Sequence, residues 1–273
     1  MHVKPIKMRW LTGGVNYSYL VSTQDKMNSW LIDPAEPLEV LPALQEDELK
    51  SIDAIVNTHH HYDHSGGNIA IATSLKKNRK ILKVIAGSDA SFGVTSVPKN
   101  LQAFRLGNLQ ITCIRTPCHT QDSICYYVKD PETNEQCIFT GDTLFTGGCG
   151  RFFEGTGLEM DLALNFRILE GVGEANWSMT RVYPGHEYTK GNVSFIRNYI
   201  YKNAGDNVEF DKLERYCNRH EITTGIFTLY DELKYNPFMK LNSSFVRLAV
   251  GDKDFSFLRE KVIEILRKMK NSM

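Results

Sequence analysis

Apolar residues follow two different patterns along the chain. In the first 187 residues they form short runs rich in β-branched and aromatic side chains, which predict strands. The predicted strands cover residues 17–21, 30–32, 52–56, 84–86, 109–115, 124–128, 137–140 and 181–183, and the first two are expected to pair as a hairpin. Helical spacing in this part is found at residues 36–49, with Pro42 as an interruption, and at 67–77 and 161–170. After residue 188 the apolar positions recur at helical spacing over 193–201, 210–220, 227–234 and 255–269. The sequence therefore predicts a strand-rich domain over 1–187 and a helical domain over 188–273.

The composition is that of an ordinary globular protein. The chain has 273 residues, of which 42% are hydrophobic and 23% are charged. No stretch approaches the ~20 apolar residues of a membrane span, and the first ten residues have neither the apolar core of a signal peptide nor the character of a transit peptide. We therefore expect a cytoplasmic protein that does not bind membranes, and we expect a monomer. The apolar side of 255–269 could meet a membrane surface or a partner, but covering the core is its expected role.

The cysteines and the charge exclude several classes of site and partner. None of the six cysteines belongs to a Cys-x-x-Cys pair, which argues against a disulfide framework and against a thiolate zinc site. The net charge is zero, with 17 basic and 21 acidic residues up to residue 187 and 15 basic and 11 acidic residues after it. This asymmetry is too mild for nucleic-acid binding. It fits a small anionic substrate near the second part of the chain, although solvated helix faces would explain it equally well.

Candidate chemistry is concentrated in the segment Thr-His-His-His-Tyr-Asp-His at residues 58–64, directly after the predicted strand 52–56. In an extended segment alternate side chains share a face, so His59, His61 and Asp63 would project together. His64 would join them through a turn at Ser65, Gly66 and Gly67. Imidazole and carboxylate ligands suit zinc, iron or manganese, and a cation would keep crowded histidines neutral. A metal site is therefore favoured over a histidine-rich surface loop.

Three further potential ligands follow predicted strands. They are His119, Asp142 and His186, and the glycine before Asp142 allows a close approach of the backbone. Each is a weak signal alone, but together they place five of the eight histidines and two aspartates at strand ends. His2, His60 and His220 are left over and are interpreted as structural or exposed. Cys118, next to His119, is a candidate nucleophile, but we favour the metal role for its neighbour.

The order His-x-His-x-Asp-His, then His, Asp and His resembles the metallo-β-lactamase superfamily. Further motifs are similar to the hydroxyacylglutathione hydrolase (glyoxalase II) family: Asn-Tyr-Ser-Tyr-Leu at 16–20, Gly-Gly-Cys-Gly-Arg-Phe-Phe-Glu-Gly at 147–155, Gly-His-Glu-Tyr-Thr at 185–189 and Asn-Pro-Phe-Met at 236–239. The resemblance covers effectively the whole chain. It implies an αββα sandwich with the catalytic centre in residues 1–187, followed by a helical substrate-binding domain at 188–273.

The resemblance also implies a binuclear centre and a reaction. One metal would be held by His59, His61 and His119, the other by Asp63, His64 and His186, and Asp142 would bridge them. Zinc is expected, with iron or manganese as alternatives. A metal-bridging hydroxide would cleave S-D-lactoylglutathione to D-lactate and glutathione, the second step of methylglyoxal detoxification, with Asp63 and Asp142 as catalytic residues. Arg151, Tyr188 and Lys240 would bind the glutathione part.

The sequence departs from the family pattern at several positions. Arg151 replaces a common lysine and Phe153 a common tyrosine. Residues 121–123 read Gln-Asp-Ser where Ser-Gly-His is usual, and Asn242, Ser243 and Ser244 stand where a basic residue is usual. These changes are expected to alter glutathione affinity or acyl preference and to leave the reaction unchanged.

Three other functions stay open at this point. One is a persulfide dioxygenase, which uses a single iron on the same fold. Another is a different hydrolase of the superfamily, such as a lactonase. The third is a binding protein with a structural metal, which the open coordination positions disfavour.

Overall fold

Two five-stranded sheets lie face to face in the computed structural model, which describes residues 1–9, 15–76 and 82–273. The first sheet has the order β1-β2-β3-β4-β5, formed by β1 (His2–Met8), β2 (Asn16–Ser22), β3 (Ser29–Ile32), β4 (Ile52–Val56) and β5 (Lys83–Ile85). The second has the order β12-β9-β8-β7-β6, formed by β6 (Ala103–Leu106), β7 (Leu109–Arg115), β8 (Ile124–Lys129), β9 (Gln136–Gly141) and β12 (Thr180–Pro184). A small hairpin, β10 (Leu144–Phe145) and β11 (Gly148–Cys149), follows β9. The pairing of β2 with β3 confirms the predicted opening hairpin.

Helices cover both outer faces of the sandwich. On the first sheet they are α1 (Pro37–Val40), α2 (Glu46–Ser51) and α4 (Asn68–Lys76), and a single helical turn, α3 (Tyr62–Ser65), precedes α4. On the second they are α5 (Gly157–Leu162), α6 (Ile168–Val172), α7 (Thr189–Tyr199), α8 (Val208–Cys217), α9 (Leu229–Tyr235), α10 (Ser244–Ala249) and α11 (Arg259–Asn271). The αββα sandwich followed by a helical domain is confirmed. Among the described residues no helix has the length and apolar character needed to cross a membrane.

Aromatic residues from both sheets fill the space between them. The rings of Tyr19 and Phe139 lie 5.3 Å apart, and those of Trp30 and Tyr126 lie 6.2 Å apart in an edge-to-face arrangement. All four are buried. Since β4, β9 and β12 run into the same end of this core, the loops that follow them meet there.

Several predicted boundaries were wrong, each for a local reason. The helix predicted at 36–49 is divided into α1, a 3-10 turn at Leu41–Ala43 that contains the proline, and α2. The helix predicted at 161–170 extends from α5 to α6 through a π-helical turn at Ala163–Arg167. The last helix begins at Arg259, after Phe255 adopts a φ of +55°. The strands β1, β6, β10 and β11 and the helices α3 and α10 were not predicted, and the last residue of the predicted helix 67–77 lies outside the described residues.

A buried carboxylate joins the helical domain to the hairpin. Glu232 on α9 is fully buried, and its Oε2 accepts hydrogen bonds from Gly147 N and Asn236 Nδ2, both at 2.9 Å. Tyr235 Oη donates to Glu232 Oε1 at 2.6 Å. Burial raises the pKa of Glu232 to about 7, because the hydrogen bonds only partly offset the loss of hydration.

The wild-type protein should lose stability as Glu232 ionises near neutral pH, and we expect Glu232→Gln to prevent this loss. The folded-state pKa of this carboxyl is raised, so its contribution to stability is present below the ordinary pKa of 4.5 and is lost as the pH rises through about 7. The loss is roughly 3 kcal/mol. Glutamine keeps the acceptor for Gly147 and donates to Tyr235 at every pH. In urea denaturation, the free energy of unfolding of the variant minus that of wild type should be roughly 3 kcal/mol larger at about pH 8 than at about pH 4. A difference that does not change with pH would contradict this assignment.

Candidate metal centre

The histidine-rich segment after β4 is not extended, which corrects the predicted alternation. Residues 58–60 bend, and α3 begins directly after His61, whose carbonyl accepts hydrogen bonds from the N–H groups of His64 and Ser65 at 2.9 Å. This helical turn separates the ligands that alternation would place on one face. His59 and His61 join one group, whereas Asp63 and His64 join another.

The first group contains three imidazole nitrogens. His61 Nδ1 lies 3.1 Å from both His59 Nε2 and His119 Nε2. A tetrahedral zinc ion with nitrogen bonds of ~2.05 Å requires ligand nitrogens ~3.3 Å apart. The spacing of the three nitrogens therefore fits a single cation.

The second group contains Asp63, His64 and His186. The Nε2 atoms of the two histidines are 3.2 Å apart. Asp63 Oδ2 lies 3.6 Å from His186 Nε2 and 3.8 Å from His64 Nε2. Asn16, the first residue of β2, donates a hydrogen bond from Nδ2 to Asp63 Oδ2 at 3.0 Å and thereby orients this carboxylate.

Asp142 lies between the two groups. Its Oδ1 is 3.4 Å from His64 Nε2, and its Oδ2 is 3.1 Å from His186 Nε2 and 3.5 Å from His119 Nε2. Asp142 Oδ1 is buried and has no hydrogen-bond donor, which is unusual for a carboxylate oxygen. A cation beside it would satisfy this atom, so the residues present fit a metal.

Gly141 brings Asp142 into this position. It has a φ of +47°, a conformation that favours glycine, and a Cβ atom there would lie 2.3 Å from Thr58 Oγ1. Any larger residue would push the end of β9 away from the segment after β4.

Asp33 orients the second group and was missed as a site residue in the sequence. It is buried at the end of β3, and its carboxylate accepts hydrogen bonds from His64 Nδ1 at 2.9 Å, Thr58 Oγ1 at 2.6 Å and Thr58 N at 2.7 Å. A carboxylate on the far nitrogen of a ligand histidine sets the tautomer and the ring orientation. An acid directly after a strand next to β4 was the available signal in the sequence.

The potential ligands His119 and His186 have other supports. His119 Nδ1 lies 2.9 Å from the carbonyl oxygen of Arg151, which orients its Nε2 towards the first group. Tyr188 stacks on His186 with ring centroids 4.6 Å apart and an interplanar angle of 6°. Between them in sequence, Glu187 accepts hydrogen bonds from Tyr17 Oη at 2.8 Å and from Thr223 Oγ1 at 2.6 Å. His186 is thereby held by both domains.

The electrostatics of the cluster favour a bound cation. Burial lowers the pKa of His59, His61 and His119, so their imidazoles are neutral at neutral pH and each has one nitrogen free to bind a metal. Burial opposes charge on Asp142 too, but the histidines around it hold its pKa well below the usual range. For His64, burial lowers the pKa, but Asp142 and Asp33 more than offset this and raise it to about 9. A metal would take the place of that proton beside the two carboxylates.

A cavity of about 950 Å³ opens beside the cluster. Apart from the histidines, the cationic and aromatic side chains that line it are Phe145, Arg151, Phe153, Tyr188, Arg267 and Lys270. The structure thus brings two of the three predicted substrate residues, Arg151 and Tyr188, next to the metal ligands. Phe153 is 60% exposed, and its ring lies edge-on to those of His61 and His119 at 5.6 and 5.2 Å.

Lys240 is not among the residues that line the cavity, and neither are Asn242, Ser243 and Ser244. Two basic residues of α11, Arg267 and Lys270, line the cavity instead. Arg267 Nη1 donates to the carbonyl of Cys149 at 2.9 Å, and burial together with Arg267 lowers the pKa of Lys270 to about 8. Two basic residues one turn apart were the signal in the sequence, although the predicted helix 255–269 ends one residue before Lys270.

The other candidates lie outside the cluster. Cys118 is fully buried, its Sγ donates to the carbonyl of Thr156 at 3.3 Å, and burial raises the pKa of its thiol, so it is not a nucleophile. His2 and His220 are exposed and lie beside backbone carbonyls.

Comparisons with known proteins cover the whole chain. The family model described as the metallo-beta-lactamase superfamily matches residues 11–186, and the one described as the hydroxyacylglutathione hydrolase C-terminus matches residues 187–273. The mitochondrial hydroxyacylglutathione hydrolase of Saccharomyces cerevisiae is 67% identical, with 100% of this chain and 96% of the relative covered. The cytoplasmic isozyme of the same organism is 61% identical with 100% of both chains covered. Among solved structures, ETHE1 from Myxococcus xanthus is similar in fold, with a TM-score of 0.60, 22% identity and coverage of 97% of this chain and 95% of the other.

Proposed function

This chain belongs to the hydroxyacylglutathione hydrolase family of the metallo-β-lactamase superfamily, and from that premise we propose that it hydrolyses S-D-lactoylglutathione to D-lactate and glutathione. This reaction is the second step of methylglyoxal detoxification. The observation that carries the proposal is a carboxylate, Asp142, between two groups of metal-type ligands beside a cavity lined by three cations. A persulfide dioxygenase would need one iron, two histidines and one carboxylate, so the second ligand group favours the hydrolase.

The metal ligands follow from the two groups. We propose that His59, His61 and His119 hold one divalent cation, that Asp63, His64 and His186 hold the other, and that Asp142 serves both. Nitrogen and oxygen donors of this kind accept zinc, iron or manganese, and we propose that both cations are zinc. When bound, the cations supply a water of lowered pKa as nucleophile and polarise the thioester carbonyl.

The protein residues orient the reactants. The side chain of Asp63 is 40% exposed and lines the cavity, so its carboxylate can accept a hydrogen bond from the attacking water. The leaving group is the glutathione thiolate, whose parent thiol has a pKa of ~8.5. Because such a group leaves readily, the reaction does not require a general acid from the chain.

Glutathione thioesters carry two carboxylates, which the cavity can pair with cations. We propose Arg151 and Tyr188 as substrate-binding residues, as the resemblance implies, and we propose Arg267 and Lys270 in the role expected of Lys240. Phe153 offers an apolar ring where the family has a hydroxyl donor, so it is expected to change affinity or acyl preference.

We expect Lys270→Ala to raise the KM for the glutathione thioester by roughly 10-fold and to change kcat little. A hydrogen bond between charged groups contributes ~1.5–3 kcal/mol, and this one would form equally in the ground state and the transition state. Steady-state kinetics at fixed ionic strength measure both constants.

Matched controls separate a local contact from a change in net charge. Lys268→Ala removes an exposed lysine from the same helix, and Lys240→Ala removes the lysine that the family resemblance implies for glutathione binding. Both should leave KM within ~2-fold of wild type. If Lys240→Ala has the largest effect of the three, the proposed role of α11 is wrong.

The function itself is tested by following the loss of absorbance of S-D-lactoylglutathione, with metal analysis of the same sample. Rapid hydrolysis with up to two metals per chain is the expected result. Absence of hydrolysis, one iron per chain and oxygen uptake with glutathione persulfide would instead assign the dioxygenase.

Organisation and location complete the proposal. A domain boundary after residue 187 is supported by the meeting of the two family models at residues 186 and 187. A cytoplasmic location stays a prediction, since one relative is named as mitochondrial and another as a cytoplasmic isozyme. The monomeric state also stays a prediction.

A further inference from the structure

A buried carboxylate outside the metal ligands holds the histidine that the sequence left without a role. Asp122 is 5% exposed, and its Oδ1 lies 2.9 Å from His60 Nδ1. It also accepts hydrogen bonds from Thr120 Oγ1 at 2.7 Å and Ser88 Oγ at 3.0 Å. Asp122 belongs to the Gln-Asp-Ser segment that departs from the family pattern.

His60 is fixed on several sides. In addition to the contact of Nδ1 with Asp122, its Nε2 lies 3.6 Å from Glu154 Oε1, and its carbonyl accepts a hydrogen bond from Ser65 Oγ at 2.8 Å. Its ring is edge-on to that of His61, with centroids 5.1 Å apart. The side chain therefore points away from the first ligand group although it lies between two of its members in sequence.

This position has a consequence for metal binding. A neutral imidazole with one free nitrogen is a metal ligand, and His60 is adjacent in sequence to both His59 and His61. A rotation of this segment would exchange His60 for one of its neighbours. The contact with Asp122 makes that exchange unfavourable, because a buried carboxylate would lose its charge-assisted partner.

We propose that Asp122 is a positioning residue that holds His60 outside the metal centre and thereby presents His59 and His61 to the first cation. This inference rests on the proposed metal-dependent function and concerns the group His59, His61 and His119. Asp122 does not touch the ligands and acts through His60.

The test compares metal affinity in variants of the full-length protein. Zinc is titrated into the apoprotein against a chromophoric chelator, which resolves two binding steps. Loss of a residue that orients ligands typically costs 10–100-fold in metal affinity, so Asp122→Ala should weaken one step by that factor and leave the other unchanged. Asp122→Asn keeps an acceptor oxygen for His60 and should restore most of the affinity.

Two further variants separate positioning from a general loss of structure. Ser88→Ala removes a different hydrogen bond from the same carboxylate and should leave both binding steps unchanged. In a His60→Ala background, Asp122→Ala should have no further effect on metal affinity. An equal loss of affinity with and without His60, or no loss in Asp122→Ala, would overturn the proposal.

The thioester assay on the same samples keeps the two proposals apart. The KM should not change in Asp122→Ala, because the substrate cations lie elsewhere. If the wild-type protein binds metal but does not cleave the thioester, the proposed function is wrong. The affinity comparison would then still decide the role of Asp122.

Discussion

Asp142→Ala is expected to abolish thioester hydrolysis and to lower the metal content of the protein. The Asp142 carboxylate lies within 3.5 Å of nitrogens from both ligand groups, so its loss removes an anion that both cations would share. Loss of a single electrostatic contact to a reacting group costs about 10²–10³-fold in kcat, and here two cations and the nucleophile are affected. A fall in kcat of at least about 10³-fold is therefore expected.

Metal analysis and kinetics on the same preparation check this result. Asp142→Asn provides the matched control, since asparagine keeps the size and one acceptor oxygen but not the charge. It should also lose metal while retaining the fold, as judged by circular dichroism. Unchanged activity in Asp142→Ala, with two metals still bound, would refute the binuclear mechanism.

The cluster of potential metal ligands could be predicted from the sequence because its signal is chemical and local. Histidines and aspartates stand directly after apolar runs, and strands that end at one edge of a sheet bring such residues together whatever the loop conformation is. The extended conformation assumed for residues 58–64 was wrong, yet the four residues it selected all lie in the cluster. The division into two groups depends on α3, a helix of one turn, which no periodic pattern in four residues could indicate.

The supporting residues could not be predicted in the same way. Asp33 and Asp122 lie 31 and 62 residues from the histidines they contact, and each stands in a segment that also reads as an ordinary turn. Asp33 reaches the centre because β3 pairs with β4 in the first sheet, whereas Asp122 is brought there by the packing of the second sheet on the first. Lys270 was hidden for a different reason, because an amphipathic helix predicts burial of its apolar face and says nothing about which cavity its edge meets.

The parts of the fold that were missed have weak local patterns. Only Ile6 and Met8 of β1 are buried, and the strand contains one histidine, two lysines and a proline, so its composition is not that of a typical strand. It is nevertheless paired along its whole length with β2. An edge strand of this kind is stabilised by its neighbour and not by intrinsic propensity.

Asp33→Ala is expected to impair both stability and the second metal site. The buried carboxylate accepts three hydrogen bonds, and its removal leaves His64 Nδ1 and both donors of Thr58 without their partner. Breaking a buried, charge-assisted contact of this kind costs about 3–5 kcal/mol of the free energy of unfolding. Because the ring of His64 is then free to turn, metal affinity of the group Asp63, His64 and His186 should fall by about 10–100-fold.

The two positioning carboxylates should therefore affect different cations. Asp33 contacts His64 of the second group directly and reaches the first group only through Thr58, whose Oγ1 lies 3.1 Å from His59 Nδ1, whereas Asp122 acts on the first group through His60. The step weakened most in Asp33→Ala should therefore be the step preserved in Asp122→Ala. Asp33→Asn is the control, since asparagine tolerates the φ of +48° at this position and still accepts one hydrogen bond. Urea denaturation of the apoproteins measures the loss of stability, and the two-step zinc titration measures the selectivity. If Asp33→Ala and Asp122→Ala weaken the same binding step, the assignment of one carboxylate to each ligand group is wrong. A change at either carboxylate would then shift the ligands of both groups through Asp142.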